Sequence, residues 1–315
     1  MERALGRLHS ATSLKRLVRD PLGFVWRYAI GMRPLPLAQQ PLSLNPVIFG
    51  ELVHEMLRRA VDDLEPDPGF VQSSRDQIEI ALSAALANIR EQWPLERPVP
   101  PALLWGHTLD EAARRALRGL TTGRSFQQGT TSWTELEFGN AGTGDSHGPW
   151  PADREVVVGE EQIRLGGRID RVDVGAAGDR VRISDYKTGK TPTNADRIVL
   201  AGGKELQRVL YAMAVRRMLP NATTISSRLV YLDLNSPPYS LEGDTLDAAC
   251  VTLARFVDAA CRLVCRGPVC PGPDAEDRYN DLRLALPAES DAYFRRKRAS
   301  FASASTDLSP LWSER

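Results

Sequence analysis

The sequence lacks a charge excess of either sign, since 40 Lys and Arg residues balance 40 Asp and Glu residues. This balance excludes nucleic-acid binding through a bulk positive field, so any such contact has to come from a local basic patch. No apolar run approaches the ~18 residues needed to cross a bilayer, and the first residues lack the apolar stretch of a secretory signal. We therefore expect a soluble, cytoplasmic protein without a membrane partner.

Cysteine is scarce, with four residues that all lie between positions 250 and 270. So few cysteines, so close together, exclude the disulfide framework of small secreted proteins and favour a reducing compartment. Cys250, Cys261 and Cys265 are spaced by eleven and four residues, which places them on one side of a helix as small buried hydrophobes. Cys270 lies in a loop, and its role stays open.

The chain has 315 residues, of which 42% are hydrophobic and 25% charged. These ordinary values are typical of a globular protein with a sizeable core. Two domains and one domain with an elaborated helical part are both compatible with this length. We expect a single domain over residues 1–315.

Hydrophobic periodicity and turn residues divide this domain into four parts. We expect an N-terminal helical arm at 10–31, a helical insertion at 62–125, a core sheet with one helix at 132–235, and C-terminal helices at 245–303. The pattern predicts helices at 47–61, 73–93, 101–120, 204–218, 245–265 and 289–302, and strands at 133–138, 155–158, 163–174, 181–187 and 227–234. A Gly/Pro/Asp-rich loop is expected at 139–153, and a proline-rich stretch separates the second helix from the third. The fold class is α/β, with a mixed central sheet flanked by helices.

Charged residues interrupt the apolar faces of two neighbouring predicted strands. Asp185 and Lys187 continue the face that Val181 and Ile183 begin, and Asp170 occupies the same kind of position on the preceding strand. Burying unpaired carboxylates is costly, so these groups need each other, hydrogen bonds or a metal. Two carboxylates brought together by a hairpin suit Mg²⁺ or Mn²⁺. A surface hairpin with a salt bridge is the open alternative.

Two helical features accompany this hairpin. His54 lies four residues after Gly50, where the missing side chain lets another element approach the same face. Gln207 and Tyr211 are also four residues apart and project from one side of a helix. Taken singly, each pair also fits an ordinary core or half-exposed helix face.

In their order along the chain, these features resemble the RecB/AddB-like branch of the PD-(D/E)XK nuclease superfamily. The corresponding segments are Gly50-Glu-Leu-Val-His54, Gly167-Arg-Ile-Asp170, Asp185-Tyr-Lys187-Thr-Gly189 and Gln207-Arg-Val-Leu-Tyr211. Ser10-Ala-Thr-Ser-Leu14 and Asp20-Pro-Leu-Gly-Phe24 are similar to the start of such a domain. The resemblance extends from about residue 10 to about residue 300, and it implies a restriction-endonuclease-like core.

The resemblance also implies roles for individual residues. His54, Asp170, Asp185 and the carbonyl of Tyr186 would bind the metal. Lys187 would orient the attacking water and stabilise developing charge, and Gln207 and Tyr211 would position the site or the DNA. Glu135 is similar to the acidic residue that precedes the core hairpin in this family, although Glu137 fits the same position.

The function implied is a Mg²⁺- or Mn²⁺-dependent deoxyribonuclease, as an exonuclease or a helicase-associated repair and recombination nuclease. DNA would be its substrate, and a helicase or another subunit of a helicase–nuclease complex a candidate partner. The alternative is a catalytically inert nuclease-fold subunit that binds DNA or scaffolds a complex. Sequence-specific cleavage is not favoured, because no specificity module is recognisable. A free-standing nuclease and one part of a larger protein both remain open.

Two further cofactor motifs are incomplete. Many relatives bind an iron–sulfur cluster through one cysteine in the arm and three beyond the core. Here Asp20 replaces the arm cysteine and no cysteine follows Pro271, so we expect no cluster. A P-loop ending at Thr188-Gly-Lys-Thr191 would require glycine at position 184, where the chain has Ser184.

Overall fold

The computed structural model describes residues 1–34, 42–139, 148–150, 154–234, 236–266 and 269–313. Helices and strands alternate in the second half of the chain, after a helical first part. The helices are α1 (Glu2–Leu5), α2 (Ala11–Arg19), α3 (Pro21–Phe24), α4 (Pro46–Leu64), α5 (Arg75–Glu96), α6 (Ala102–Thr121), α7 (Gln207–Met218), α8 (Gly243–Arg266), α9 (Ser290–Ala304) and α10 (Ser309–Trp312). The strands are β1 (Thr131–Phe138), β2 (Val156–Val158), β3 (Ile163–Leu165), β4 (Gly167–Val174), β5 (Arg180–Lys187), β6 (Thr224–Tyr231) and β7 (Tyr239–Glu242). The described part contains no helix long and apolar enough to span a membrane.

The central sheet has five strands in the order β1-β4-β5-β6-β7. β4 pairs antiparallel with β1 and β5, whereas β5 and β6 run parallel, with α7 between them in sequence. β2 and β3 form a separate two-stranded sheet. The expected mixed sheet flanked by helices is therefore confirmed.

Each face of the sheet is covered by a different set of helices. On one face, α4, α5 and α6 pack together and onto Tyr186, Val230 and Leu232. On the other face, α7 and α8 join Val172 and Ile183 in the larger core. Neighbouring residues of β4 and β5 therefore face different environments, because strand side chains alternate.

Local sequence explains where the main helices begin. Ser10 accepts a hydrogen bond from the Ser13 amide at the start of α2, and Asn45 caps α4 through the amides of Val47 and Ile48. Ser74 forms a capping box with Gln77 at the start of α5. The arm continues after α3 as a π-helical turn that ends at a left-handed glycine.

The long strand expected at 163–174 is broken at Gly166. β3 pairs with β2, while the next residues turn to join the central sheet. The amide of Gly166 donates to the His9 carbonyl, and a Cβ there would lie 2.3 Å from the Leu8 side chain. Contact with Leu8 and His9, just before the N-terminal arm, therefore ends the strand, and alternation cannot predict such a contact.

Several other boundaries also differ from the prediction. α5 continues through Pro94 to Glu96, since Trp93 stacks on Trp105 of α6 and the Arg97 amide donates to the Trp93 carbonyl. α7 begins at Gln207 rather than at residue 204, because a 3-10 turn at Ala201–Gly203 precedes it. β7, α1 and α10 were not predicted. Most of the expected loop at 139–153 lies outside the described residues.

The cysteine prediction was wrong for one residue. Cys250 and Cys261 are buried as expected, and burial raises the pKa of the Cys261 thiol to about 12. Cys265 is exposed, because it lies in the last turn of α8, beyond the packed part of the helix. Cys270 is buried, and its carbonyl accepts from the Leu22 amide of the arm.

Asp20, which stands where many relatives have the arm cysteine, is buried against the segment that follows Cys270. Its carboxylate accepts a hydrogen bond from Asn280 Nδ2 at 3.1 Å and lies 3.5 Å from the Gly272 amide. Burial raises the pKa of Asp20, although these donors oppose the rise. The arm and the C-terminal segment therefore meet through hydrogen bonds at Asp20. The absence of a cluster stays a prediction.

Candidate metal and catalytic site

The candidate site lies where β4 and β5 separate. The two strands pair as far as Arg171 and Ser184. Beyond that pair, the Asp170 carboxylate accepts a hydrogen bond from the Tyr186 amide at 2.8 Å. This side-chain bond replaces a strand-to-strand bond, so Asp170 is held at the end of the hairpin and close to the backbone of β5.

Asp185 and Lys187 form a second part of the site with α7. Nζ of Lys187 lies 2.6 Å from Oδ2 of Asp185 and also donates to Oε1 of Gln207. The Gln207 amide group then donates to the Tyr211 hydroxyl at 3.2 Å. Gln207 and Tyr211 do project from one side of the helix, and they connect it to the lysine of β5.

His54 reaches the same place from α4, across the edge of the sheet. Its Nε2 donates to the Tyr186 carbonyl at 3.1 Å, and its Nδ1 lies 3.5 Å from Oδ1 of Asp170. Gly50 faces the cleft beside His54. A Cβ at Gly50 would meet only Thr188 Oγ1, at an ordinary contact distance of 3.5 Å. The expected close approach of another element at Gly50 is therefore not observed.

Glu135 lies on β1 opposite Asp170. Its neighbours Thr134 and Leu136 pair with Arg171 and Ile169 of β4. Its backbone is left-handed, with φ of 47°, a conformation that costs a non-glycine residue on the order of 1 kcal/mol. Arg168 is ion-paired with both Glu135, at 3.6 Å, and Glu137, the alternative considered from sequence, at 2.8 Å. Of the two, Glu135 is the residue whose carboxylate groups with His54 and Asp170.

Helix α4 and strands β1 and β4 bring three candidate metal-binding atoms together. One atom each from His54, Glu135 and Asp170 lie within 4.8 Å of one another. They line an open cleft of about 430 Å³, to which Arg58 and Arg168 also contribute. Imidazole nitrogen and carboxylate oxygen are suitable ligands for a divalent cation, so this set fits a metal. Asp185 is not part of the set, and its carboxylate is paired with Lys187.

The electrostatics of the site indicate a shortage of positive charge. Burial lowers the pKa of His54, but the carboxylates of Asp170, Asp185 and Glu135 raise it to about 9. Burial raises the pKa of Asp185 to about 7, with Lys187 opposing and Asp170 reinforcing the rise. Burial also raises the pKa of Glu135, and Asp170 adds to the shift. The raised pKa values mean that His54, Asp185 and Glu135 bind protons more readily than usual, and these protons offset the excess of carboxylate charge.

A buried arginine cluster on the opposite face of the hairpin was missed from sequence. Asp173 lies between Arg171 and Arg182, at 3.1 and 2.8 Å, and Arg228 of β6 donates to Ser184 at 2.8 Å. Burial raises the pKa of Asp173, but the three arginines lower it below its usual value. Burial, together with its two arginine neighbours, lowers the pKa of Arg228 to about 9. The alternation of charges along β4 and β5 was the available signal for this cluster.

Backbone carbonyls and hydroxyls accept further hydrogen bonds from the arginines of the cluster. Arg182 donates to the carbonyls of Arg124 and Ser125 at 2.9 and 2.6 Å, and Arg228 donates to that of Gly123 at 2.7 Å. Arg171 donates to the Tyr186 hydroxyl and lies over the Phe70 ring. The loop after α6 is thereby fixed to the hairpin that bears the candidate site.

Comparison with known proteins places this geometry in a family. A family model of the PD-(D/E)XK nuclease superfamily matches residues 9–302, which is most of the chain. This match supports a nuclease-type function in general and the use of a divalent metal. No curated protein matches the sequence.

Proposed function

Because the chain belongs to the PD-(D/E)XK nuclease superfamily, we propose that it is a Mg²⁺- or Mn²⁺-dependent deoxyribonuclease that hydrolyses phosphodiester bonds. One observation carries the proposal. An imidazole and two carboxylates from α4, β1 and β4 converge within 4.8 Å, beside the Asp185–Lys187 pair of β5. A scaffold would not need this set of partly buried charges, since burying unpaired charge is costly.

In this proposal, His54, Glu135 and Asp170 would hold the cation, with Asp185 and the Tyr186 carbonyl as further ligands. When bound, a divalent cation lowers the pKa of water and polarises a phosphoryl oxygen. His54 has to release a proton in order to bind, because Nδ1 and Nε2 both donate in the imidazolium form.

Lys187 acts on the reacting phosphate rather than on the metal. Its ammonium group is held by Asp185 and Gln207, and although burial lowers its pKa, Asp185 and Glu205 raise it above the usual value. The lysine therefore stays protonated at neutral pH and presents fixed positive charge where negative charge develops. Gln207 and Tyr211 position this ammonium group from α7.

The resemblance to RecB/AddB-like domains further suggests an exonuclease or a helicase-associated nuclease in DNA repair and recombination. The decisive assay measures cleavage of linear duplex, circular duplex and single-stranded DNA with Mg²⁺, with Mn²⁺ and with a chelator. We expect cleavage that requires metal. A restriction to linear DNA would support an exonuclease, and stimulation by a helicase subunit would support the associated role.

Lys187→Ala should reduce the cleavage rate by about 10²–10³-fold while metal affinity, measured by calorimetry, is retained. Lys190→Ala is the matched control, because Lys190 is exposed and lies three residues further along the chain. Chelator-resistant cleavage would contradict the metal-dependent mechanism. A wild-type protein that binds DNA but cuts none with any metal would favour the inert subunit instead.

A further inference from the structure

Because the chain as a whole has no net charge, contact with a polyanion requires a local basic surface. The densest run of basic residues in the sequence lies on α9. Arg295, Arg296, Lys297 and Arg298 are consecutive and all exposed. Within the described residues, none of the four forms an ion pair or a side-chain hydrogen bond. The arginines of α4 differ, since Arg58 is paired with Glu55 and Asp62.

This basic run lies on a helix that aromatic and alanine side chains anchor, and its four residues spread around most of the helix circumference. Phe301 and Ala304 pack against the main core. The rings of Tyr293, Phe294 and Phe301 contact one another, with centroids 5.7 to 5.9 Å apart. No residue of α9 is buried. The helix therefore holds its cations in water without using them for its own packing.

A groove of about 580 Å³ lies between α8 and the C-terminal half of α9. Arg262 and Arg266 line one wall and lie one helical turn apart, while Ser300 and Ser303 line the other. Arg296 lies four residues before Ser300 and so shares its side of α9. The hydroxyls of both serines form no hydrogen bond with other described residues. Arg296 is therefore the residue of the run that lies on the groove side of α9, and we call the run and the groove together the α8–α9 surface.

The charge of this surface is strongly one-sided. It has six cationic residues, four in the run and two in the groove, whereas α9 carries Asp291 and the groove lining contains Asp307. The carboxylates of α8, Asp244, Asp247 and Asp258, are not among the groove-lining residues. Guanidinium, ammonium and hydroxyl donors are the groups that proteins use to contact phosphate and sugar oxygens. These donors are not arranged to match the donor and acceptor groups of one particular base, so they do not distinguish base sequences. The chemistry therefore matches a polyanion with regularly spaced phosphates.

We propose that the α8–α9 surface is a second DNA contact, which binds the sugar-phosphate backbone outside the cleft at His54, Glu135 and Asp170. This inference rests on the proposed function for the choice of DNA as the polyanion. The surface contains no residue of the candidate site, so it contributes to affinity and leaves the chemical step unchanged. Electrostatic binding of this kind is independent of base sequence and sensitive to salt.

The test compares two variants that lose the same charge. One replaces Arg295, Arg296, Lys297 and Arg298 with alanine. The matched control replaces four exposed arginines elsewhere with alanine: Arg3, Arg75, Arg90 and Arg180. Affinity for a fluorescent 30-base-pair duplex is measured by anisotropy in chelator, where no metal-dependent cleavage occurs, at several salt concentrations. Two duplexes of different base composition are used.

We expect the α9 variant to lose at least about tenfold in affinity on both duplexes. The slope of log affinity against log salt should fall by about 2 to 4, since each lost phosphate contact contributes about 0.9 to that slope for duplex DNA. The control should change affinity less than about threefold. Arg262→Gln with Arg266→Gln is a second variant, should the first fail to fold, and its slope should fall by about 1 to 2.

Cleavage assays then separate this inference from the proposed function. In the α9 variant, KM should rise while kcat is retained, because the surface touches no reacting group. If wild type cuts DNA but the variant keeps its salt slope and KM, the second contact is wrong and the nuclease function stands. If wild type cuts nothing, the function fails, and the anisotropy series still decides the surface. A loss of binding to anionic vesicles with unchanged DNA affinity would also overturn the inference.

Discussion

The two faces of the β4–β5 hairpin treat charge in opposite ways. On the arginine cluster side, Arg171, Arg182 and Arg228 surround Asp173, and carbonyl and hydroxyl oxygens accept further N–H groups of these arginines. On the acidic edge, which we define as Glu135, Asp170 and Asp185 together with His54 and Lys187, carboxylates are in excess. The cluster is closed and paired within the chain, whereas the acidic edge faces an open cleft.

Buried arginines and buried carboxylates differ in the partners that a protein can supply for them. A cationic surplus can be satisfied by backbone carbonyls, which are plentiful in any fold. A carboxylate surplus needs donors or cations, and here protonation of His54 supplies part of the charge. The cluster should therefore govern stability, and the acidic edge should govern metal binding.

The largest effect is expected from Asp173→Asn. This change leaves three buried arginines without their central carboxylate, so the free energy of unfolding should fall by about 3–5 kcal/mol. Urea denaturation followed by circular dichroism measures it. Asp196→Asn is the control, since its ion pair is exposed and 3.9 Å long. A loss below about 1 kcal/mol would show that carbonyls alone hold the cluster.

Metal affinity should depend on pH through His54, whose pKa is about 9 without metal. Metal binding requires the neutral imidazole, so the affinity for Mn²⁺ should rise about tenfold from pH 7.5 to pH 8.5. His54→Gln should remove most of this dependence. Calorimetry in matched buffers checks it, and an unchanged pH profile in the variant would exclude His54 as a ligand.

Stability without metal should change in the opposite direction. The folded pKa of His54 lies above the ordinary value of 6.5, so its contribution is fully present below that pH and is lost as pH rises through about 9. Wild type should therefore lose stability across this window relative to His54→Gln. Thermal melting in chelator at pH 6 and pH 9 measures the difference, and parallel pH profiles for the two proteins would contradict it.

Tyr186→Phe tests whether the two faces are independent. The hydroxyl accepts from Arg171 in the cluster, while the amide and carbonyl of the same residue contact Asp170 and His54. Removing the hydroxyl should cost about 1–3 kcal/mol of stability, because a buried donor loses its acceptor. Mn²⁺ affinity should stay within about threefold of wild type. A larger loss of metal affinity would show that the cluster positions the acidic edge.

Asp185→Asn in metal-free protein is expected to change stability in the opposite direction. Burial raises the pKa of this carboxyl to about 7, so its ionisation opposes folding increasingly as pH rises from about 4 to above 7. The variant should therefore be more stable than wild type at pH 8 and equal to it near pH 4. Thermal melting at both values checks this. A clear loss at pH 8 would show that the pair with Lys187 outweighs the burial cost.

Much of the fold could be predicted because local periodicity is strong. The helices α4, α6 and α8 and the strands β1 and β5 appear within a few residues of the predicted ranges. Errors occurred where a distant segment decides the outcome. Contact with His9 ends the strand predicted at 163–174 after Leu165, and contact with α6 accompanies the extension of α5 through Pro94. Alternation and spacing contain no information about such partners.

By itself, the sequence determined which residues share a face. Alternation placed Asp185 and Lys187 together, and helical spacing paired Gln207 with Tyr211, because these periods follow from backbone geometry alone. Only the tertiary structure selected Glu135 over Glu137. It also assigned Asp185 to Lys187 and enclosed the arginines around Asp173. Those outcomes depend on which elements meet in space, and that is decided by packing over the whole chain.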